Sequence, residues 1–217
     1  MNAQTERLTL SGPAGAIEAV RDSATLADGA APRGVAIIAH PHPLFGGTMD
    51  NKVVQTLARA FVQCGWTAVR FNFRGVGATA GVYDEGRGEL QDLLAVVEQV
   101  APAGEGAQPL ALAGFSFGAF VTSHALATLW PQRHIDRAVL VGTAASRFTV
   151  APVPPEAHLR TLVVHGEQDD TVALSAVMDW ARPQTLPVTV VPGGGHFFHG
   201  QLPLLKNLVV RHLQSAL

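Results

Sequence analysis

The sequence predicts an α/β fold. It is expected to hold a mostly parallel sheet of about eight strands, opened by an antiparallel hairpin, with helices on both faces. Three observations carry this. From residue 35 onward, short apolar runs alternate with segments whose apolar residues recur at helical spacing. Those runs lack in–out alternation, as strands buried on both faces do. Only the stretch over residues 8–20 does alternate, with a turn signal inside it.

The elements follow in order. Leu8-Thr9-Leu10 and Ile17-Glu18-Ala19-Val20 flank Gly12-Pro13 and Gly15, and read as the hairpin. Val35 to Ala39 is the first buried strand. Val53, Val54, Leu57, Phe61 and Val62 mark a helix that Asp50 or Asn51 can cap and Gly65 ends. Thr67 to Phe73 is a strand, and Leu90, Leu93, Leu94, Val97 and Val100 mark the next helix. Leu110 to Phe115 is a strand, followed by a helix from Gly118 to Trp130 that Pro131 stops. Ala138 to Val141 and Leu162 to His165 are strands, Leu174 to Trp180 a helix, and Val188 to Val191 the last strand. Leu205, Leu208, Val209 and Leu213 lie on a closing amphipathic helix. The least regular stretch, Ala144 to His158, is too short for a cap domain, so residues 1–217 are expected to form one domain.

Composition narrows the function classes. Hydrophobic residues make up 47% and charged residues 15%, a globular balance. The formal net charge is −2 and no Lys/Arg-rich run occurs, so neither nucleic acid nor a membrane surface is expected as a partner. Cys64 is the only cysteine. It sits among Phe61, Val62 and Trp66 and reads as core packing. Met1 to Arg7 is polar and lacks the pattern of a signal peptide, and no apolar run is long enough to span a bilayer. A cytoplasmic location is the expectation.

In open α/β sheets, ligands bind beyond the carboxyl ends of the strands. Gly114-Phe115-Ser116-Phe117-Gly118 lies there, between a strand and a helix, which is the setting of a nucleophile elbow. Ser116 is the candidate nucleophile and the Phe117 N–H one candidate oxyanion donor. A serine needs a base, and the base an orienting carboxylate. Glu167, Asp169 and Asp170 follow the strand ending at Val164, and Asp169 is favoured over Asp170. His196, the first residue after three glycines, is favoured as base over His199, which is expected to start the closing helix. The second oxyanion donor should come from the loop after the first parallel strand. Pro41 and Pro43 have no N–H, which leaves His42 or Leu44, with His42 preferred.

Other chemistries are open to some of these residues. His40-x-His42, with His196 or His165 and Asp169, could bind zinc, although a zinc hydrolase gives no reason for the serine elbow. A non-catalytic binding protein on the same scaffold, and an acyltransferase or C–C hydrolase sharing the triad, are further readings. Arg74-Gly75-Val76-Gly77-Ala78-Thr79-Ala80-Gly81 has the wrong spacing for a dinucleotide loop. Arg74 there either anchors the loop or meets an anionic substrate group, the first being preferred. No cofactor is expected.

Several stretches resemble motifs of the α/β-hydrolase superfamily. Arg74-Gly75-Val76-Gly77 is similar to its R-G-x-G loop and Gly114 to Gly118 to its elbow. His165-Gly166-x-x-Asp169-x-x-Val172 is similar to its acid loop and Gly195-His196 to its histidine turn. His40-Pro41, Asn51-Lys52-Val53-Val54, Arg70 to Gly77 and His196-Phe197-Phe198-His199 resemble small lidless bacterial hydrolases related to dienelactone hydrolase, over about residues 33 to 200. The resemblance implies a Ser116–His196–Asp169 triad on a lidless sheet of about eight strands. Without a lid the site is expected to be open and its pocket shallow, which favours short to medium acyl esters or thioesters over long lipids. Dienelactone hydrolase uses a cysteine where this chain has Ser116, so its substrate is not carried over. His40-Pro41 stands where the superfamily usually has His-Gly.

Overall fold

A computed structural model describes residues 5–24, 26 and 30–216; Met1–Gln4 of the polar N-terminal stretch lie outside the described residues. Eight strands form one sheet: β1 (Thr5–Gly12), β2 (Gly15–Asp22), β3 (Val35–Ala39), β4 (Thr67–Phe71), β5 (Leu110–Phe115), β6 (Ile135–Val141), β7 (Thr161–Gly166) and β8 (Val188–Val191). Their spatial order is β1-β2-β4-β3-β5-β6-β7-β8. β1, β2 and β4 pair antiparallel, and every pairing from β4 through β8 is parallel. The expected hairpin and parallel sheet are both present.

Among the described residues five α-helices cover the sheet: α1 (Lys52–Gln63), α2 (Arg87–Val100), α3 (Phe117–Leu129), α4 (Leu174–Ala181) and α5 (Leu202–Gln214). The period of two along each strand divides the core. Ile37, Val69, Leu112 and Leu140 pack with α2, α3 and α4 on one face. Ile38, Ala68, Ala113 and Val139 pack with α1 and α5 on the other. Cys64 is buried in this second layer, as expected of a packing residue. No helix among the described residues is long and apolar enough to cross a membrane.

Several element boundaries depart from expectation: β6 begins at Ile135, three residues before the expected Ala138, and two others have a local cause. The strand expected over Thr67 to Phe73 stops at Phe71, because the Phe73 N–H donates to His40 Nε2 at 3.0 Å and leaves the ladder. His199 does not start the closing helix. It lies in the turn before Gln201, which caps α5, and Pro203 occupies the first turn of that helix, where a missing N–H is harmless. At α1 the two rival caps divide the work. Asn51 accepts from the Val53 N–H at 2.9 Å, while Asp50 pairs with Arg70 at 3.0 Å.

This strand order places a switch point between β3 and β5, where the chain leaves the sheet toward opposite faces, α1 after β3 and α3 after β5. The loops after β3, β5, β7 and β8 therefore gather at one edge of the sheet, and all the expected site residues lie on them.

Candidate active site

The turn at Ser116 is built by close backbone approach. Ser116 takes φ 57° and ψ −116°, a conformation that costs an L-residue about 1–3 kcal/mol and persists only when its surroundings impose it. The two glycines are what allow the packing that imposes it. A Cβ on Gly114 would lie 2.4 Å from the Gly118 carbonyl oxygen, and one on Gly118 would lie 2.4 Å from the Ala39 carbonyl oxygen. Strand β5, the start of α3 and the end of β3 thus touch through backbone. The Ser116 N–H is tied to the Val141 carbonyl at 2.8 Å, and Ser116 is 7% exposed, at the head of α3.

The acid and histidine loops are joined to each other. Gln168 donates its N–H to the Gly194 carbonyl at 2.8 Å, Glu167 donates its own to the Val191 carbonyl, and the Glu167 carboxylate accepts from the Gly193 N–H at 2.8 Å. Gly166 is required here: its Cβ would lie 2.3 Å from the Gly194 oxygen. The three rival carboxylates consequently separate. Glu167 holds the histidine loop, the exposed Asp170 bonds only the Thr171 hydroxyl, and Asp169 faces His196.

His196 Nδ1–H donates to Asp169 Oδ2 at 2.7 Å, and Ser116 Oγ donates to His196 Nε2 at 3.0 Å. Asp169 Oδ1 accepts the N–H groups of Thr171 and Val172 at 3.0 and 2.7 Å. Burial pushes the Asp169 carboxyl up, but the His196 and Val172 hydrogen bonds outweigh it and hold the group below its ordinary value. His165 is fully buried behind this pair and donates Nε2–H to the Val172 carbonyl at 2.8 Å, which fixes the turn that carries Asp169. Burial keeps His165 below its ordinary value. His199, the rival base, lies on the following turn and takes no part in the Ser116–His196–Asp169 chain.

The two histidines after β3 do different things. His40 is fully buried, accepts from the Phe73 N–H and donates Nδ1–H to the Pro41 carbonyl at 2.6 Å. Both its nitrogens are occupied, and no group of three or more His, Cys, Asp or Glu side chains among the described residues could hold a metal ion. His42 Nδ1 accepts the Leu44 N–H at 3.2 Å, so that N–H is spent, whereas the N–H groups of His42 and Phe117 donate to no other described residue. The His42 ring lies among Phe45, Tyr83 and Phe117 at 4.6–5.0 Å. Burial, then the nearby charge of Arg147, lower its pKa. Arg74 anchors its loop by two hydrogen bonds to Asp92 on α2 at 2.8 and 2.9 Å.

A cleft of about 290 Å³ opens over Ser116 and His196. A family model described as "Serine aminopeptidase, S33" (Hydrolase_4) matches residues 30–160, more than half of the chain. The chain belongs to this family of α/β-hydrolases. It is 38% identical to a serine hydrolase without a lid from Xanthomonas campestris, with a TM-score of 0.86, covering 99% of this chain and 95% of that one. It is also 38% identical to an α/β serine hydrolase homologue from Coxiella burnetii, with a TM-score of 0.78, covering 96% and 97%. An uncharacterized protein of Rickettsia prowazekii (strain Madrid E) is 29% identical over 205 residues, 88% of this chain and 82% of its own.

In this α/β-hydrolase, sequence reasoning missed part of the cleft wall. Phe45, Arg147, Phe148 and Phe197 line it, together with Asn51 and Thr171. Arg147 and Phe148 lie in the irregular stretch after β6, which carries no motif. The signal available was position alone: that stretch begins beyond the carboxyl end of the strand beside β5.

Proposed function

We propose that this α/β-hydrolase cleaves carboxylic esters or thioesters of short to medium acyl groups through an acyl-enzyme on Ser116. The observation that supports this most is the continuous hydrogen-bonded chain from Ser116 Oγ through His196 to Asp169 at the floor of an open cleft. His196 Nε2 takes the Ser116 proton as Oγ attacks the acyl carbonyl. Asp169, kept ionised, holds the Nδ1–H tautomer and stabilises the imidazolium that forms. The Phe117 and His42 N–H groups receive the developing oxyanion, supported by their having no other acceptor among the described residues and by the prior use of the Leu44 N–H. His196 then returns the proton to the departing alcohol or thiol. Water, activated by the same imidazole, releases the acid.

The size preference rests on the cleft. About 290 Å³ lies at the lower end of the range of small-molecule sites, roughly 300–1,000 Å³. Its aromatic lining suits an acyl chain of a few carbons. The expected result with 4-nitrophenyl esters and matched thioesters from two to sixteen carbons is a kcat/KM maximum at or below about eight carbons, a limit set by the cleft. A maximum at the longest chains contradicts the size preference, and turnover of neither series contradicts the reaction.

A further inference from the structure

We infer that Arg147 selects substrates carrying a carboxylate remote from the scissile bond, by pairing with that carboxylate at the wall of the cleft. The inference rests on the Ser116 hydrolase reading and names its substrate class more closely. Arg147 is the only Lys, Arg, Asp or Glu among the residues lining the cleft. Other arginines of the chain are committed: Arg70 to Asp22, Arg74 to Asp92, Arg182 to Asp179. Among the described residues, Arg147 takes part in no ion pair and no side-chain hydrogen bond. Its guanidinium lies over the ring of Phe45, itself 73% exposed, 5.9 Å from the centroid, a contact that uses none of its N–H donors. A planar fork with free N–H groups matches a carboxylate by two parallel hydrogen bonds.

The surroundings leave room for such a substrate. Arg147 and Phe148 also line a second, open hollow of about 500 Å³ with Tyr83, Glu85 and His124. A substrate whose carbonyl sits at Ser116 can therefore run along the Phe148 wall and meet Arg147 at the junction of the two spaces. The one carboxylate in that hollow, Glu85, pairs with Arg87 at 3.6 Å. The net charge of −2 gives the molecule as a whole no pull on anions, so any preference for them must be local.

The test compares kcat/KM within matched pairs, after subtracting the uncatalysed rate. One pair carries the carboxylate on the acyl group: the 4-nitrophenyl monoester of adipate against 4-nitrophenyl hexanoate. The other carries it on the alcohol: 3-(acetoxymethyl)benzoate against benzyl acetate. The expected result is a preference of about tenfold for the anionic member of at least one pair, and which pair shows it identifies the portion that Arg147 meets. Arg147→Gln should bring that ratio to about one, Arg147→Glu should invert it, and added salt should weaken it. The ratio is read within each variant, so an activity loss common to both esters cancels, and fluorophosphonate labelling of Ser116 in each variant reports an intact site. Turnover of the neutral esters with no anionic preference, or a preference that survives in Arg147→Gln, overturns the Arg147 inference alone. No turnover of any ester together with no labelling overturns the hydrolase reading and this inference with it.

Discussion

In the proposed reaction single residues carry the chemistry, and their environments make them separable by experiment. Asp169→Asn keeps the shape but removes the charge, and its amide can present an N–H to His196 Nδ1. The expected loss in kcat is about ten-thousandfold with little change in fold, measured by ester turnover and circular dichroism. The second oxyanion donor can be tested at His42, whose φ of −54° suits proline. His42→Pro removes the N–H and His42→Ala keeps it, so a kcat lower by about a hundredfold in the first than in the second is expected; equal values would move the donor elsewhere. At this scale the sequence was informative where chain order and strand ends constrain a residue. Ser116, His196 and Asp169 all lie just beyond strands, and they are the residues that meet. It preferred His42 to Leu44 on position alone, since the physical difference depends on which N–H the His42 ring captures. Nor could it see Arg147, whose neighbours across the cleft, Phe45 and Ser116, are distant in sequence.

The elements position these groups through backbone contact more than through side chains. Gly118 is the clearest case, because the end of β3 lies against it through the Ala39 and His40 carbonyls. Gly118→Ala is expected to cost about 3 kcal/mol in urea unfolding and to lower activity as well, since the push falls on the strand that carries His42. A variant with full activity and stability would remove this explanation of the turn. Periodicity identified the eight strands and the five α-helices, but not the short 3-10 turns such as Pro155–Arg160. It misjudged the end of β4 and the start of α5 because both are decided by groups outside the local pattern. At β4 it is the His40 ring that takes a ladder N–H. At α5 it is the turn through Phe198 and Gly200, with φ of 50° and 75°, that delays the helix.

For the whole molecule, the alternation of strands and helices made the site's end of the sheet predictable, and the buried imidazoles set its response to acid. The alternation of strands and helices gave the parallel sheet; the place of β3 between β4 and β5 came only with the structure, because hydrophobic runs do not encode their neighbours. Burial lowers His40 to about 4 and His212, with help from Arg137, to about 4. Unfolded imidazoles titrate near 6.5, so between pH 6.5 and 4 the unfolded chain binds more protons. Stability is therefore full above pH 6.5 and falls toward pH 4, by about 3 kcal/mol for fully buried His40 alone. Asp169 is depressed and contributes only to losses below its ordinary pKa of 3.8. Urea unfolding at pH 7.5 and 4.5 should show this drop, and His40→Gln, which keeps a neutral acceptor for the Phe73 N–H, should show a smaller one. An unchanged pH dependence in that variant would dissociate His40 from it. The central claim is that the fold activates one serine, and the measurement that tests it most directly is reaction with a fluorophosphonate followed by mass-spectrometric mapping of the adduct. Modification of Ser116 in the native protein, lost in His196→Ala and strongly slowed in Asp169→Asn, is the expected result; a folded protein that stays unmodified, or is modified equally in all three, would contradict it.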